Sequence, residues 1–158
     1  MARSSLKQAS NQNTSSLFIL TYLARVLCID YGQKRTGIAT TDALKIIATS
    51  LGMVETRDLF PYLKKYLANE PVERVLIGYP LNVDDSPTHA TPLVEAFIKR
   101  FEKDFPQVPI EKVDERYSSK WASQAIAGMG LKKKDRERKG IIDEVSAVML
   151  LQEWLGKF

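Results

Sequence analysis

The sequence predicts an α/β fold: a mixed five-stranded sheet with helices on both faces. Three observations lead there. Five short apolar or alternating stretches read as strands, at residues 25–31, 38–41, 45–54, 74–78 and 110–114. Helical spacing of apolar residues separates the last three of these and fills the C-terminal third. The first three strands follow one another without a helix, so an antiparallel meander opens the fold and two helix-linked strands complete it, which gives a sheet of mixed direction.

The first strand is a buried run that ends at Asp30-Tyr31-Gly32. Gly32 and Gly37 bracket a polar turn, and the second strand resumes at residue 38. The third strand contains Gly52. Leu59, Phe60, Leu63, Tyr66 and Leu67 then fall at helical spacing, with Pro61 early enough for the first turn and Pro71 as the stop. After the fourth strand, residues 82–87 have loop composition. Leu93, Phe97, Phe101 and Phe105 repeat every four residues along a long helix. Ser118 or Ser119 caps a short helix that reaches Met129, and residues 141–155 form the last helix on the apolar set Ile141, Ile142, Val145, Val148, Met149 and Leu155. The expected strand order puts the first strand in the centre, flanked by the second and fourth, with the carboxyl ends of strands one and four meeting where open α/β sheets place their sites.

A chain of 158 residues suffices for one such domain, expected over residues 25–158. Residues 1–24 are expected to be a disordered extension, because residues 4–16 are rich in Ser, Asn and Gln. The apolar run at residues 17–24 is too short to span a bilayer, and it leads into Arg25 rather than a cleavage site of small residues. A lipoprotein reading of Cys28 fails because Leu27 stands where a small residue is needed. As the one cysteine, Cys28 has no disulfide partner, and its apolar surroundings make it a core thiol. These features point to a cytoplasmic protein without a membrane partner.

Three acidic positions fall at the predicted site. Asp30 ends the first strand, Asp114-Glu115 ends the last, and Asp143 begins the final helix. Grouped carboxylates are what two divalent cations need in order to activate a water and stabilise a leaving oxygen in phosphodiester hydrolysis. Taken singly, each has a plainer role: a turn bond for Asp30, a pairing with Arg116 or solvent for Glu115, a favourable helix-dipole position for Asp143. Charge is a mild +4, but six of the eight residues from 132 to 139 are Lys or Arg. By itself that run reads as a solvated loop; beside the acids it reads as an arm for backbone phosphates, with Lys132, Lys133 and Lys134 at its head. His89 and the tryptophans Trp121 and Trp154 are read as peripheral to any chemistry.

Four segments together resemble the YqgF (RuvX) family, whose members are Holliday-junction-resolvase-like nucleases. They are Ile29-Asp30-Tyr31-Gly32-Gln33-Lys34-Arg35-Thr36-Gly37-Ile38-Ala39 with Thr41-Asp42; Ile77-Gly78-Tyr79-Pro80-Leu81-Asn82; Asp114-Glu115-Arg116; and Ile142-Asp143-Glu144-Val145-Ser146-Ala147-Val148 running into Leu151-Gln152. Their order and separation resemble the family from about Arg25 to the C-terminus. The resemblance implies an RNase H-like (RuvC-like) fold and a nuclease dependent on Mg²⁺ or Mn²⁺, acting at the 5′ end of pre-16S ribosomal RNA in ribosome biogenesis or, alternatively, on four-way DNA junctions. It implies Asp30, Glu115 and Asp143 as catalytic metal ligands, and Arg35 and Arg116 as phosphate-holding residues whose guanidinium forks suit two oxygens. The implied partners are pre-rRNA or branched DNA and ribosomal precursor particles, met as a monomer or a homodimer. Asp85 stands where the family usually has Gly, Tyr117-Ser118 where Leu-Thr is usual, and Ser146 where Ala is common. Two other classes stay open on sequence: a catalytically weak nucleic-acid-binding ribosome-maturation factor, and an ATP-binding relative of the actin and sugar-kinase superfamily, since Asp30-x-Gly32 with Gly37 also resembles a phosphate loop.

Overall fold

A computed structural model describes residues 23–116, 118–137 and 140–156; most of the expected N-terminal extension thus lies outside the described residues. The sheet has five strands, β1 (Arg25–Tyr31), β2 (Arg35–Thr41), β3 (Ala48–Glu55), β4 (Val72–Tyr79) and β5 (Ile110–Asp114). Their spatial order is β3-β2-β1-β4-β5. The pairs β1–β2 and β2–β3 are antiparallel, while β1–β4 and β4–β5 are parallel. The first strand is central and flanked as its sequence requires. Val26, Leu27, Cys28 and Ile29 are all fully buried, the unbroken apolar run of a strand covered on both sides.

Alternation along β1 divides the core. Leu27 and Ile29, with Ile38, Val75 and Ile77, pack against α1 (Leu59–Asn69) and α2 (Thr91–Asp104). Val26 and Cys28, with Ala39 and Leu76, pack on the other side against the C-terminal helix. Three further helices follow β5: α3 (Ser118–Gly128), the single turn α4 (Lys133–Arg136) and α5 (Ile141–Trp154). Helices therefore cover both faces. Among the described residues no helix is long and apolar enough to cross a membrane.

Several boundaries differ from the sequence reading for identifiable reasons. β2 starts at Arg35, three residues before the expected 38, because Tyr31 pairs with Thr36, Asp30 with Gly37 and Arg35 with Glu55. The turn is correspondingly tight. β3 starts only at Ala48, since the Asp42 carboxylate accepts the backbone N–H groups of Leu44, Ile46 and Ile47 at 3.2, 2.7 and 2.7 Å and shapes residues 42–47 into a loop. Those bonds also hold the Asp42 carboxyl below its ordinary pKa. The basic stretch, read from sequence as a solvated loop or a phosphate-tracking arm, contains the helical turn α4, and its residues 138 and 139 lie outside the described ones.

Two helices are rotated from the expected faces. In α2 the buried set is Thr91, Val94, Phe97, Ile98 and Phe101, while Leu93 is 40% exposed. A four-residue repeat gains about 40° per step on a helix of 3.6 residues per turn, so the stripe drifts off Leu93. In α5 the buried residues are Ile141, Ser146, Ala147, Leu150 and Leu151, with Ile142 46% exposed. Small Ser146 and Ala147 let this helix sit close to the sheet.

This rotation has a measurable consequence. Phe101→Ala is expected to lower the unfolding free energy by about 3–5 kcal/mol, as for a buried aromatic. Leu93→Ala should change it by no more than about 0.5 kcal/mol. Urea denaturation of both variants checks this, and comparable losses would place α2 in a different rotation.

Candidate active site

Each of the three acids is delivered by a different element. Asp30, next to last in β1, shares the α5 side of the sheet with Val26 and Cys28 by strand alternation. Val113 of β5 packs into the same cluster, so Glu115, two residues on, continues toward that face. The backbone N–H and hydroxyl of Ser118 both donate to the Glu115 carbonyl, at 3.0 and 2.9 Å, which fixes the start of α3 against it. Ser118 thus anchors Glu115 where the sequence suggested a helix cap. Asp143 lies in the first turn of α5, the helix laid across β2.

Two glycines make this convergence possible. A β-carbon on Gly37 would overlap the backbone carbonyl of Asp143, so β2 and the start of α5 touch main chain to main chain. A β-carbon on Gly78 in β4 would overlap the Glu115 carboxylate. The sequence reading treated Gly37 as the border of a turn and Gly78 as the end of a strand. A glycine inside a buried apolar strand was the available signal, because it marks close approach by another group. Ser146 was likewise passed over as a replacement for Ala. It is fully buried, one helical turn after Asp143 on the same side of α5, and its hydroxyl lies near Asp30.

The electrostatics are those of crowded, partly dry carboxylates. Burial first, then the Glu115 and Asp143 charges, push Asp30 up to about 8; the Ser146 hydroxyl opposes this without forming a hydrogen bond of standard geometry. Glu115 is raised to about 7, by burial and then by the charge of Asp114. Asp143 is raised by burial, which outweighs the downward pull of Arg35. Cys28 lies beneath the group, and its thiol is pushed up by burial and by Asp30 and Glu115, in keeping with an inert core thiol.

Of the four buried side-chain polar atoms without a hydrogen-bond partner among the described residues, three belong to this corner: Glu115 Oε2, Arg35 Nε and Ser146 Oγ. Each such atom costs roughly 1–3 kcal/mol unless something completes it. As the side chains stand, no group of three His, Cys, Asp or Glu among the described residues is arranged as a ready metal cage. The donor set is nevertheless hard, anionic and oxygen-only, and one of its oxygens is buried and unpartnered, which suits a small divalent cation.

The cationic candidates divide. Arg35 faces the site, with Nε 3.6 Å from Asp143 Oδ2. Arg116 follows Glu115 in sequence but is turned to other acids: its Nε donates to Asp114 at 2.8 Å and its Nη1 to Asp85 at 2.8 Å. Asp114, on the opposite side of the strand from Glu115, is held below its ordinary pKa by that arginine. Asp85 has φ 64°, in the left-handed region that favours glycine, yet it keeps that shape with an aspartate. Lys132, Lys133 and Lys134 are exposed, Lys133 pairs with Glu137 at 3.8 Å, and no ion pair among the described residues joins the three lysines to the acids. His89 is exposed, and the Trp154 indole N–H donates to Glu111 at 3.4 Å at the edge of the fold.

The raised carboxyls fix the sign of a stability test in metal-free protein. A carboxyl whose folded pKa lies above its unfolded value keeps a proton that the unfolded chain has released, so stability falls as pH rises from about 4 to about 8. Asp30→Asn removes that penalty. The advantage of the variant over wild type should grow between pH 5 and pH 9 by a tenfold or greater folding equilibrium, about 1.4 kcal/mol. Denaturation at the two pH values reads this difference, and an equal effect at both would deny Asp30 its buried, repelled environment.

Comparison with known proteins follows the same outline. Residues 24–157 match the family described as RuvX, Holliday junction resolvase. A protein of Christiangramia forsetii named "Putative pre-16S rRNA nuclease" is 50% identical over 133 residues, covering 84% of this chain and 98% of its own length. A protein of Flavobacterium psychrophilum with the same name is 45% identical over 135 residues, 85% of this chain and 98% of its own. The solved structure of Archaeoglobus fulgidus Pelota aligns with 96% of this chain and 43% of its own at 8% identity, with a TM-score of 0.41, too loose a likeness to bear on the fold. With a match that spans all the elements from β1 to α5, the chain belongs to the RuvX family and has its RNase H-like fold.

Proposed function

We propose that this protein is a metal-dependent nuclease that hydrolyses phosphodiester bonds of structured RNA, at the 5′ end of pre-16S rRNA during ribosome biogenesis in the cytoplasm. The observation that carries the reading is the meeting of Asp30, Glu115 and Asp143 from three elements, with Glu115 Oε2 buried and unpartnered. The names of the relatives supply the substrate class. Family membership also supports a second substrate, the four-way DNA junction, since the family is described by that activity.

Asp30, Glu115 and Asp143 would hold Mg²⁺ or Mn²⁺, which when bound supplies Lewis-acid activation of a water and charge stabilisation of the departing oxygen. The protein's own groups prepare the place. Gly78 leaves the gap that the Glu115 carboxylate enters, and Gly37 lets α5 bring Asp143 down onto the sheet. Arg35 pairs with Asp143 from β2, and its guanidinium would hold a phosphate oxygen of the substrate. The Ser146 hydroxyl lies near Asp30 from α5 and opposes the rise of its pKa. The buried floor of Cys28, Leu76 and Leu150 excludes water from below, so that every charge in the corner acts in a low dielectric. The exposed Lys132, Lys133 and Lys134 would track the backbone beyond the scissile bond.

A cleavage assay that compares a pre-rRNA leader with a four-way DNA junction, each with Mg²⁺, Mn²⁺ or chelator, tests this directly. Cleavage of the leader in either metal and none in chelator is expected. Asp30→Asn and Glu115→Gln should each lose more than the roughly 10–100-fold typical of residues that only support a ligand, while Arg35→Ala should fall within that range. Retained RNA binding without cleavage in wild type would leave a maturation factor of the same fold and remove the enzyme.

The basic run gives a separate measurement. Lys132, Lys133 and Lys134 replaced together by Ala should weaken binding alike for different sequences and lower the salt slope by up to about 0.7 per lost contact on single strands, or about 0.9 on duplex DNA. Identical slopes would reduce the run to a solvated surface.

A further inference from the structure

The loop after β4 brings a carboxylate, Asp85, to Arg116, the residue that follows Glu115. Residues 81–87 close on themselves: Leu81 and Pro87 form a bridge, Asn82 N–H donates to Ser86 O at 2.9 Å, and Asp85 N–H to Asn82 O at 3.0 Å. Asn82 Nδ2 further donates to Ser86 Oγ at 2.9 Å and to Pro87 O at 3.1 Å. This tied loop holds Asp85 at φ 64°, a conformation that aspartate tolerates better than most residues, and aims its carboxylate outward.

That carboxylate meets Arg116, beside Glu115. Asp114 accepts from Nε and Nη2 of the guanidinium and from the Arg116 backbone N–H, whereas Asp85 Oδ1 accepts from Nη1 at 2.8 Å. The two acids differ in kind. Asp114 lies within β5 and orients the arginine from its own strand. Asp85 lies in the loop with its side chain 76% exposed, against 26% for Arg116. An ion pair this open is weak, and its carboxylate can move into water while the arginine stays in place. The outward edge of a guanidinium is also the edge that receives two oxygens of a phosphate.

We infer that Asp85 is a stand-in for a substrate phosphate: it occupies the outer edge of Arg116 in the free protein and leaves when a nucleic-acid phosphate arrives, so that it sets the affinity of the site for its polyanion. The inference rests on the nuclease reading above and assigns Asp85 a role in substrate affinity. With Asp85 in place, an incoming phosphate must displace one carboxylate and approach its negative charge; without it, that carboxylate no longer competes for Arg116 Nη1.

The test is the binding of a fixed single-stranded RNA to the full chain, without divalent metal, across a range of salt. Wild type, Asp85→Asn, Arg116→Ala and the double variant are compared. Asparagine keeps the size of the side chain and tolerates the same backbone, so folding is preserved. Asp85→Asn is expected to bind about two- to fivefold more tightly, the worth of an exposed ion pair. Its salt slope should differ from that of wild type by less than about 0.7, because the same phosphate contact forms in both proteins. In the Arg116→Ala background Asp85→Asn should have no effect. A gain that persists without Arg116 reduces Asp85 to a general negative charge and overturns the inference, as does affinity indifferent to Asp85. RNA binding absent at every salt in both wild type and Asp85→Asn would instead bring down the nuclease reading on which the inference rests.

Discussion

Three like charges in one partly dry corner repel one another, and a fold that keeps them together must hold each from a separate rigid element. Here β1, the end of β5 and the first turn of α5 do so. Two of these supports are strands of one sheet, locked through the parallel registers β1–β4 and β4–β5. The third is a helix pressed on β2 so closely that only glycine fits at position 37. A loop-borne carboxylate would swing away from such a site. Asp30 on its strand and Asp143 on its seated helix do not swing, Glu115 one residue past β5 is tied by Ser118, and the stress shows instead as the raised pKa of Asp30 and Glu115.

Arg35 and Arg116 illustrate how the same side chain takes opposite roles through its partners. Arg35 reaches inward from β2, its Nε buried and short of a full hydrogen bond, 3.6 Å from Asp143. It offsets the charge of one acid in the free protein. Arg116 is spoken for at the rim, bracketed by Asp114 from its own strand and by Asp85 from the loop after β4. The strand pleat explains the division: Asp114 and Glu115 point to opposite sides, so one joins the buried group and the other orients the arginine.

The far side of the sheet has the ordinary task of stability. Leu59 and Leu63 of α1 and Val94, Phe97 and Phe101 of α2 enclose Leu27, Ile29 and Ile77, with a run of tilted aromatic contacts from Tyr31 through Phe97 and Phe101 to Phe105. This dense apolar layer stabilises a sheet whose other face spends part of its interior on unpaired polar atoms. Core and site are thus back to back on the same strands, which is how a chain of this size keeps both.

The fold class and the central place of β1 were legible in the sequence, because continuous apolar runs and helical spacing are local properties that survive without coordinates. The choice of Glu115 over Asp114 was legible only as an alternation, and the structure decided which residue faced α5. What lay beyond the sequence were the contacts between distant segments. Gly37 against Asp143 and Gly78 against Glu115 depend on how a helix and a strand end approach β2 and β4. The faces of α2 and α5 turned away from Leu93 and Ile142 because partners across the sheet, not intrinsic spacing, select which residues are covered. Arg116 pairs with Asp85, thirty-one residues earlier, since a tied loop aims that carboxylate across the rim. Local pattern determined which elements form and which residues carry charge; only tertiary packing decided which of those charges meet, because distance between side chains is set by the seating of whole elements on one another.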